Sequence, residues 1–438
     1  METMKTKITM NNLIRYILRT FLFVAIVFPV KAQENLTLSQ ALENALENNY
    51  GISIAKAEKQ IAARQNNWGN AGALPSVSFT ASSANSFELL DEDRTNSIYG
   101  GLGVNWTLFS GFRIRINKDK LNQLEDLASG RSAVVVENTI QNVILNYYNI
   151  LLQQERLDVL KDVMQLSEDR LKYEELKKEI GGTVSYMVLQ AKNNYLSDKA
   201  AVLRQENAVR GAVRSLNFLL GMPPSTSWTF TETFETDTLN YQMANLRDKM
   251  LESNQVLQNQ YINLMLTKKD IELQKSTLYP TLSVSAGMDN SKRWLKQQGV
   301  PVVESESITP YGNLSLSYSI YQGGTRKQAI EVAEINASIE NIATEEIKHS
   351  LTNELFGELD LYNLRKELLD VADESLETAA LNLQIAEEKY KTGAINSFNY
   401  RDIQLIYLNA ALQKLQAVYD LIDANTRLTR ITGGFISE

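Results

Sequence analysis

Two proline-free stretches set the scale of this chain: Phe112 to Ile180, which runs into Gly181-Gly182, and Thr325 to Thr392, which runs into Gly393. At 1.5 Å per residue, a helix of either length extends on the order of 100 Å, far beyond the diameter of a small domain. An ordinary globular core cannot house such rods.

A seven-residue pattern fills them. In the first stretch, Val143, Ile150, Leu157, Met164 and Leu171 form one register, and Leu145, Leu152, Val159, Leu166, Tyr173 and Ile180 form a second. A strict seven-residue repeat keeps a seam against one neighbour when helices supercoil to the left. The two registers differ by two residues, so they lie roughly 200° apart around the helix. A helix patterned this way has neighbours on both flanks, as a stave in a wall does; a two-stranded coiled coil, which needs one seam, is the simpler alternative. The second stretch repeats the first register at Leu355, Tyr362, Leu369, Leu376, Leu383 and Tyr390, with a less regular second seam at Leu364, Val371 and Ile385.

The mature chain opens on Leu36-Thr37-Leu38-Ser39, where Ser39 with Glu43, or Thr37, starts a helix. Apolar spacing through Leu42, Leu46, Ile52, Ala55 and Ile61 continues that helix toward Trp68, and Leu74-Pro75 stops it. The period then changes from helical to two, with Val77, Phe79 and Ala81 followed after a polar loop by Leu102, Val104, Trp106 and Leu108. Beyond the first rod a helix runs from about Ser185 to Leu220. Ser225 to Asn240 is a Thr-rich connector with room for a short strand around Trp228.

From Tyr241 the order of events recurs, which makes an internal repeat. Gly323/Gly111, Gly393/Gly181, Ser397/Ser185 and Gly433/Gly221 are all 212 residues apart, whereas Asn254/Asn49 and Pro280/Pro75 are 205 apart. The difference of seven falls between the paired strands and is expected in the second hairpin loop, with Pro301 and Pro310. The expected organisation is a signal peptide at 1–32, a first repeat at 33–221, a connector at 222–240 and a second repeat at 241–438.

The second hairpin alternates cleanly. Leu282, Val284, Ala286 and Met288 face away from Ser283, Ser285 and Gly287, and Leu314, Leu316, Tyr318 and Ile320 face away from Ser315, Ser317 and Ser319. Apolar on one face and small-polar on the other over about 10 residues is the pattern of a membrane β-barrel strand. A half-buried strand of a soluble sandwich reads the same way. The leader weighs for the membrane: Lys5, Lys7, Arg15 and Arg19 precede an apolar run from Phe21 to Val30 and a small-x-small site at Val30-Lys31-Ala32. Four strands cannot close a barrel, and open edges are not tolerated in lipid, so the chain must associate. The helices before each hairpin and after each glycine turn together match one rod in length, so two of them can stack end to end beside it.

Composition narrows the chemistry. Without cysteine there are no disulfides, thiolate metal sites or lipid-modified N-terminal cysteine, and His349 is the single histidine. Removal of residues 1–32 leaves 39 basic against 51 acidic residues, a formal charge of −12, which argues against nucleic acid. No nucleophile, phosphate loop or metal constellation stands out, so neither an enzyme nor a cofactor is expected.

With its two tandem copies of helix, strand pair ending in Phe109-Ser110-Gly111 or Tyr321-Gln322-Gly323, long helix, glycine turn and helix, the sequence resembles the TolC family of outer-membrane efflux proteins. The resemblance covers essentially the whole mature chain. It implies an α+β membrane protein, a long-helix α-barrel (a coiled-coil tunnel) joined to a β-barrel with four strands per chain and closed as a homotrimer. It further implies an outer-membrane exit duct without chemistry of its own, fed by an inner-membrane pump through a periplasmic adaptor. A secreted coiled-coil assembly protein remains the alternative from residues alone.

The resemblance also assigns candidate sites. Ile180, Gly181 and Gly182, with Thr392, Gly393 and Ala394, occupy the turns that an adaptor hairpin touches in family members; as a plain helix stop the glycines are equally well explained. Asp402 matches one of two aspartates that ring the tunnel mouth, and Asn399 replaces the other. Tyr390 matches a tyrosine that helps hold the mouth closed, whereas an arginine expected two residues after the glycine is Ile395. For Asp402, an ion pair with neighbouring Arg401 or a solvated face is the alternative.

Overall fold

A computed structural model describes residues 34–88, 93–297 and 299–435. The expected signal segment lies outside these residues. Among them are eight helices: α1 (Leu38–Asn48), α2 (Tyr50–Gln65), α3 (Arg113–Glu179), α4 (Ser185–Leu219), α5 (Met243–Ser253), α6 (Gln255–Ser276), α7 (Thr325–Lys391) and α8 (Ser397–Ile431). Six strands accompany them: β1 (Glu34–Leu36), β2 (Ser76–Phe87), β3 (Arg94–Ser110), β4 (Trp228–Phe230), β5 (Thr281–Lys296) and β6 (Val303–Ser317). Both proline-free stretches are single helices of 67 residues.

Of the two rods, α3 has neighbours on both flanks within the chain. α3 packs α2 and α6 in the half nearer the sheet, and α4 and α8 in the other half. α7 packs α6 and α8. The first-register residues Val143, Ile150, Leu355, Tyr362, Leu369 and Tyr390 are buried. The second seam of α7 is uncovered in the single chain: Leu364, Val371 and Ile385 are exposed, as are Val332, Ile335, Ile339 and Ile342 higher on the same rod. α2 leaves Ile54 and Ile61 exposed, and α4 leaves Leu189, Leu196 and Leu203, a seven-residue series.

The helix ahead of each hairpin is broken in two, contrary to the continuous pattern read from the sequence. Asn49 and Asn254 leave helical geometry, with ψ of 129° and 117°, and restart the chain as N-caps. Each side-chain oxygen accepts from the backbone N–H three residues on: Ile52 N at 3.2 Å for Asn49 and Leu257 N at 3.0 Å for Asn254. Each amide donates to the last turn of the partner helix, Asn49 Nδ2 to Leu219 O at 2.8 Å and Asn254 Nδ2 to Ile431 O at 2.9 Å. One side chain thus starts a helix and ties it to the end of another, which realises the end-to-end stacking of α2 on α4 and of α6 on α8. The approach is close: a Cβ on Gly221 or Gly433 would stand 2.6 Å from Asn48 O or 2.4 Å from Ser253 O.

The largest apolar clusters sit at this level. Val143, Tyr147, Ile150, Leu216 and Leu220 form one, and Met250, Leu257, Leu355, Tyr362, Leu421 and Leu428 form the other. The connector holds the short strand allowed for, β4, which pairs in parallel with β1. Tyr147, fully buried, donates to Leu36 O at 2.9 Å and so pins β1 to α3. Of the two start signals, Thr37 is the cap, in a reciprocal box with Gln40.

The long strands form one antiparallel sheet in the order β2-β3-β5-β6, so the two repeats join through β3 and β5. Register gathers the apolar residues on one face in successive rows: Trp106, Val284 and Leu314; Val77, Val104 and Ala286; Phe79, Leu102 and Met288. The other face carries Ser78, Thr80, Ser285, Asp289 and Thr309, with Tyr99 donating to Asp289 Oδ1 at 2.7 Å. Aromatic side chains gather where strands meet helices: Phe112 stands edge-on to Phe109 and Tyr279, and Trp106 Nε1 donates to Ala73 O at 2.8 Å.

Four strand expectations need correction. Pro310 lies inside β6 opposite Met288 and not in the loop; β6 is an edge, where a residue without an N–H is tolerated. The connections 88–93 and 297–302 are equally long, so the extra seven residues lie elsewhere: β5 is four residues longer than β2, and β6 with the segment 318–322 before Gly323 spans three more than β3. Tyr318 and Ile320 fall in that segment, beyond the strand. Leu108 drops out of the alternating row because a bulge between Thr107 and Phe109 puts Phe109 opposite Leu282.

Candidate functional site

At the ends of the rods away from the sheet, the chain reverses twice. α3 ends in Lys177 and Lys178 and α7 in Lys389 and Lys391, cations suited to the negative end of a helix. Gly182 N donates to Lys177 O at 2.7 Å and Gly181 N to Lys178 O at 3.0 Å. Ala394 N donates to Lys389 O at 2.8 Å and Gly393 N to Tyr390 O at 3.0 Å. These paired bonds close both helices with a left-handed residue, Gly181 at φ 77° and Gly393 at φ 78°. The helix-stop reading of both glycines therefore holds.

The two turns differ in surface chemistry. Ile180 is 84% exposed, and Leu176, Val184, Tyr186 and Leu189 extend an open apolar surface around it. At the second turn Thr392, Gly393 and Ala394 are exposed, but Ile395 turns inward against a cluster of Ala386, Tyr390 and Tyr400. Asn396 caps α8 by accepting from Phe398 N and Asn399 N.

Tyr390 is the hub of this end. Its ring stacks on Tyr400, with centroids 4.8 Å apart and planes at 5°, and meets Tyr173 edge-on at 5.4 Å. Its hydroxyl donates to Glu174 Oε1 at 2.6 Å, joining α7 to α3. Burial, and then the Glu174 hydrogen bond, push the phenol far above its ordinary pKa, so it remains a donor.

Arg401 has a different partner from the neighbour suggested by sequence. It grips Asp198 of α4 with two bonds of 2.7 Å and reaches Ser167 of α3 at 3.1 Å, while the Ser167 hydroxyl also donates to Asp198. Three helices are thereby tied by one guanidinium. Asp402 is exposed and forms no ion pair among the described residues. Asn399, three residues earlier on α8, is exposed on the same face. Tyr390 sits in the packed interior, so the three aperture candidates do not form one contact.

Sequence reasoning missed Ser167, Arg170, Glu174, Asp198 and Tyr400. The available signal was spacing: Val163, Ser167, Arg170 and Glu174 follow the three-four rhythm of a seam and are all buried, but the last three are polar. Arg170 is 4% exposed, and burial draws its guanidinium below its ordinary pKa.

Among the described residues no group of His, Asp or Glu could hold a metal ion, and no helix is long and apolar enough to cross a membrane. The family model for outer membrane efflux proteins matches residues 41–222 and 246–434. Nodulation protein T of Rhizobium leguminosarum bv. viciae is 21% identical over 417 residues, which span 91% of this chain and 82% of the relative. The probable outer membrane lipoprotein SilC of Salmonella typhimurium is 19% identical over 373 residues, 84% of this chain and 79% of the relative. The crystal structure of the Campylobacter jejuni CmeC outer membrane channel superposes with a TM-score of 0.73 at 16% identity, covering 91% of this chain and 85% of that one.

Proposed function

The chain belongs to the outer membrane efflux protein family, and on that premise we propose that it is the passive exit duct of a tripartite export system, working as a homotrimer. It is an outer-membrane protein with a helical periplasmic extension, and its family and structural neighbours are channels rather than enzymes.

One observation carries the reading: a sheet with an apolar outer face ends in two unpaired long edges, β2 and β6, above a helical wall that also ends unpartnered on both sides. An open edge in lipid leaves backbone groups unsatisfied, so a closed ring of copies is the stable arrangement. Three copies place twelve strands in one barrel, and the exposed seams of α7 meet those of α2 and α4 of the next copy. The repeats at 33–221 and 241–438, with the connector at 222–240 between them, are then alternating segments of one wall. The polar sheet face lines the lumen.

The glycine turns form the periplasmic tip. An adaptor docks there, with the apolar surface around Ile180, Gly181 and Gly182 as its first contact and Thr392, Gly393 and Ala394 as its second. Through it the duct receives substrate from an inner-membrane pump. Asp402 and Asn399 face the aperture, and Tyr390 holds the surrounding helices together.

The purified chain in a planar bilayer tests this. Discrete conductance steps are expected, with block by multivalent cations from the tip side that weakens in Asp402→Ala. A folded protein that gives no steps and is recovered in the soluble periplasm refutes the duct and leaves a coiled-coil assembly protein. An unchanged block in Asp402→Ala removes that residue from the aperture.

A further inference from the structure

Between the tip ends of α3, α4 and α8 lies a cavity of about 190 Å³, lined by Arg170, Gln190, Asn194, Ser397, Arg401 and Asp402 among others. A single water needs about 10–15 Å³, so the space admits a small ion with waters of its own. Arg170 is 96% buried here, and neither its Nε nor its Nη1 has a hydrogen-bond partner. Buried donors are nearly always paired, so a guanidinium left in this way points to a missing acceptor.

The nearby acids do not supply it. Asp198 is taken by both arms of Arg401 and by Ser167. Glu174 accepts from Tyr390 through one oxygen, while its other oxygen also lacks a partner. Asp402 is exposed. The remaining polar lining includes the Gln190 and Asn194 amides, whose N–H groups can donate to an anion. Ser397 is also the first residue of α8, a helix end that favours negative charge.

We propose that this cavity binds a small inorganic oxyanion of phosphate or sulfate size, held by Arg170. A guanidinium fork matches two oxygens of such an ion, a geometry that chloride cannot satisfy. The ion bridges α3 to α4 and α8, adding a fourth tie beside the Tyr390 and Arg401 contacts. Binding at this site does not depend on the chain conducting.

Equilibrium dialysis of inorganic phosphate against the detergent-purified full chain, at ionic strength held constant with chloride, tests the site. Saturable binding of one phosphate per chain is expected, displaced by sulfate and not by chloride. Arg170→Gln weakens it by on the order of tenfold or more while circular dichroism is unchanged. Should that variant misfold, Asn194→Leu, which narrows the cavity without altering charge, gives the same loss. Absence of saturable binding to the wild type, equal displacement by chloride, or undiminished binding to either folded variant overturns the proposal and leaves water as the occupant.

Discussion

Replacing Tyr390 by phenylalanine removes one oxygen and leaves the ring in place. The stack on Tyr400 and the edge contact with Tyr173 persist, so the change isolates the bond to Glu174 Oε1. Glu174 is 2% exposed and its Oε2 already has no partner, so the substitution strips its carboxyl of the hydrogen bond that Oε1 accepts. A hydrogen bond to a charged group contributes about 1.5–3 kcal/mol, and a buried acceptor without a partner falls at the upper end. If the bond exists only while α3 and α7 are packed at the tip, its loss shifts the packed-to-splayed ratio by about tenfold to a hundredfold per chain. The assay is single-channel recording in a planar bilayer, with thermal melting in parallel. Tyr390→Phe raises conductance or open fraction, and Tyr390→Phe combined with Glu174→Gln shows less than the sum of the single effects. Conductance and melting both equal to wild type, or strictly additive effects, refute the role of this bond in holding the tip.

Glu137, 5% exposed on α3, has its carboxyl pushed up to about 7 by burial, with Arg430 pulling partly the other way. Its fold-specific stability is complete below the ordinary value of 4.5 and is lost as pH rises through 7, a difference of about 3 kcal/mol. Glu137→Gln therefore melts higher than wild type at about pH 8 and no higher at about pH 4; parallel melting curves at both pH values refute this. Val104→Arg, in the middle of the apolar sheet face, costs about 2–4 kcal/mol in bilayer stability, whereas Ser78→Arg on the polar face is mild, as read by denaturant titration in lipid vesicles. Asn254→Ala removes the cap of α6 and the tie to Ile431 O; it lowers stability by about 1–3 kcal/mol, and Asn49→Ala has a matching effect in the first repeat.

Much of the fold was legible because local periodicity carries it. Seven-residue spacing identified α3 and α7, alternation identified the paired strands, and the 212-residue echo identified the repeat. The candidate site was legible only at its turns and at Tyr390. Asn49 and Asn254 are residues that favour a helix cap, but the apolar spacing continues on both sides of each, so the period alone reads through the break. Each break is held by a local cap bond and by a second bond to a carbonyl far away in the chain, that of Leu219 or Ile431. Arg401 stands beside Asp402 in sequence, yet adjacent helical residues point in different directions, and its partner is Asp198 on another helix.

By itself, then, the amino-acid sequence determined which segments are rods, strands and reversals, and which face of each is apolar, because these follow from the period of side chains along one element. Only the tertiary structure decided which seams meet within one chain and which stay open, that β3 and β5 join the repeats, and that the tip is tied through Glu174, Ser167 and Asp198. Those outcomes depend on register between segments hundreds of residues apart, and the pattern within any one of them does not record it.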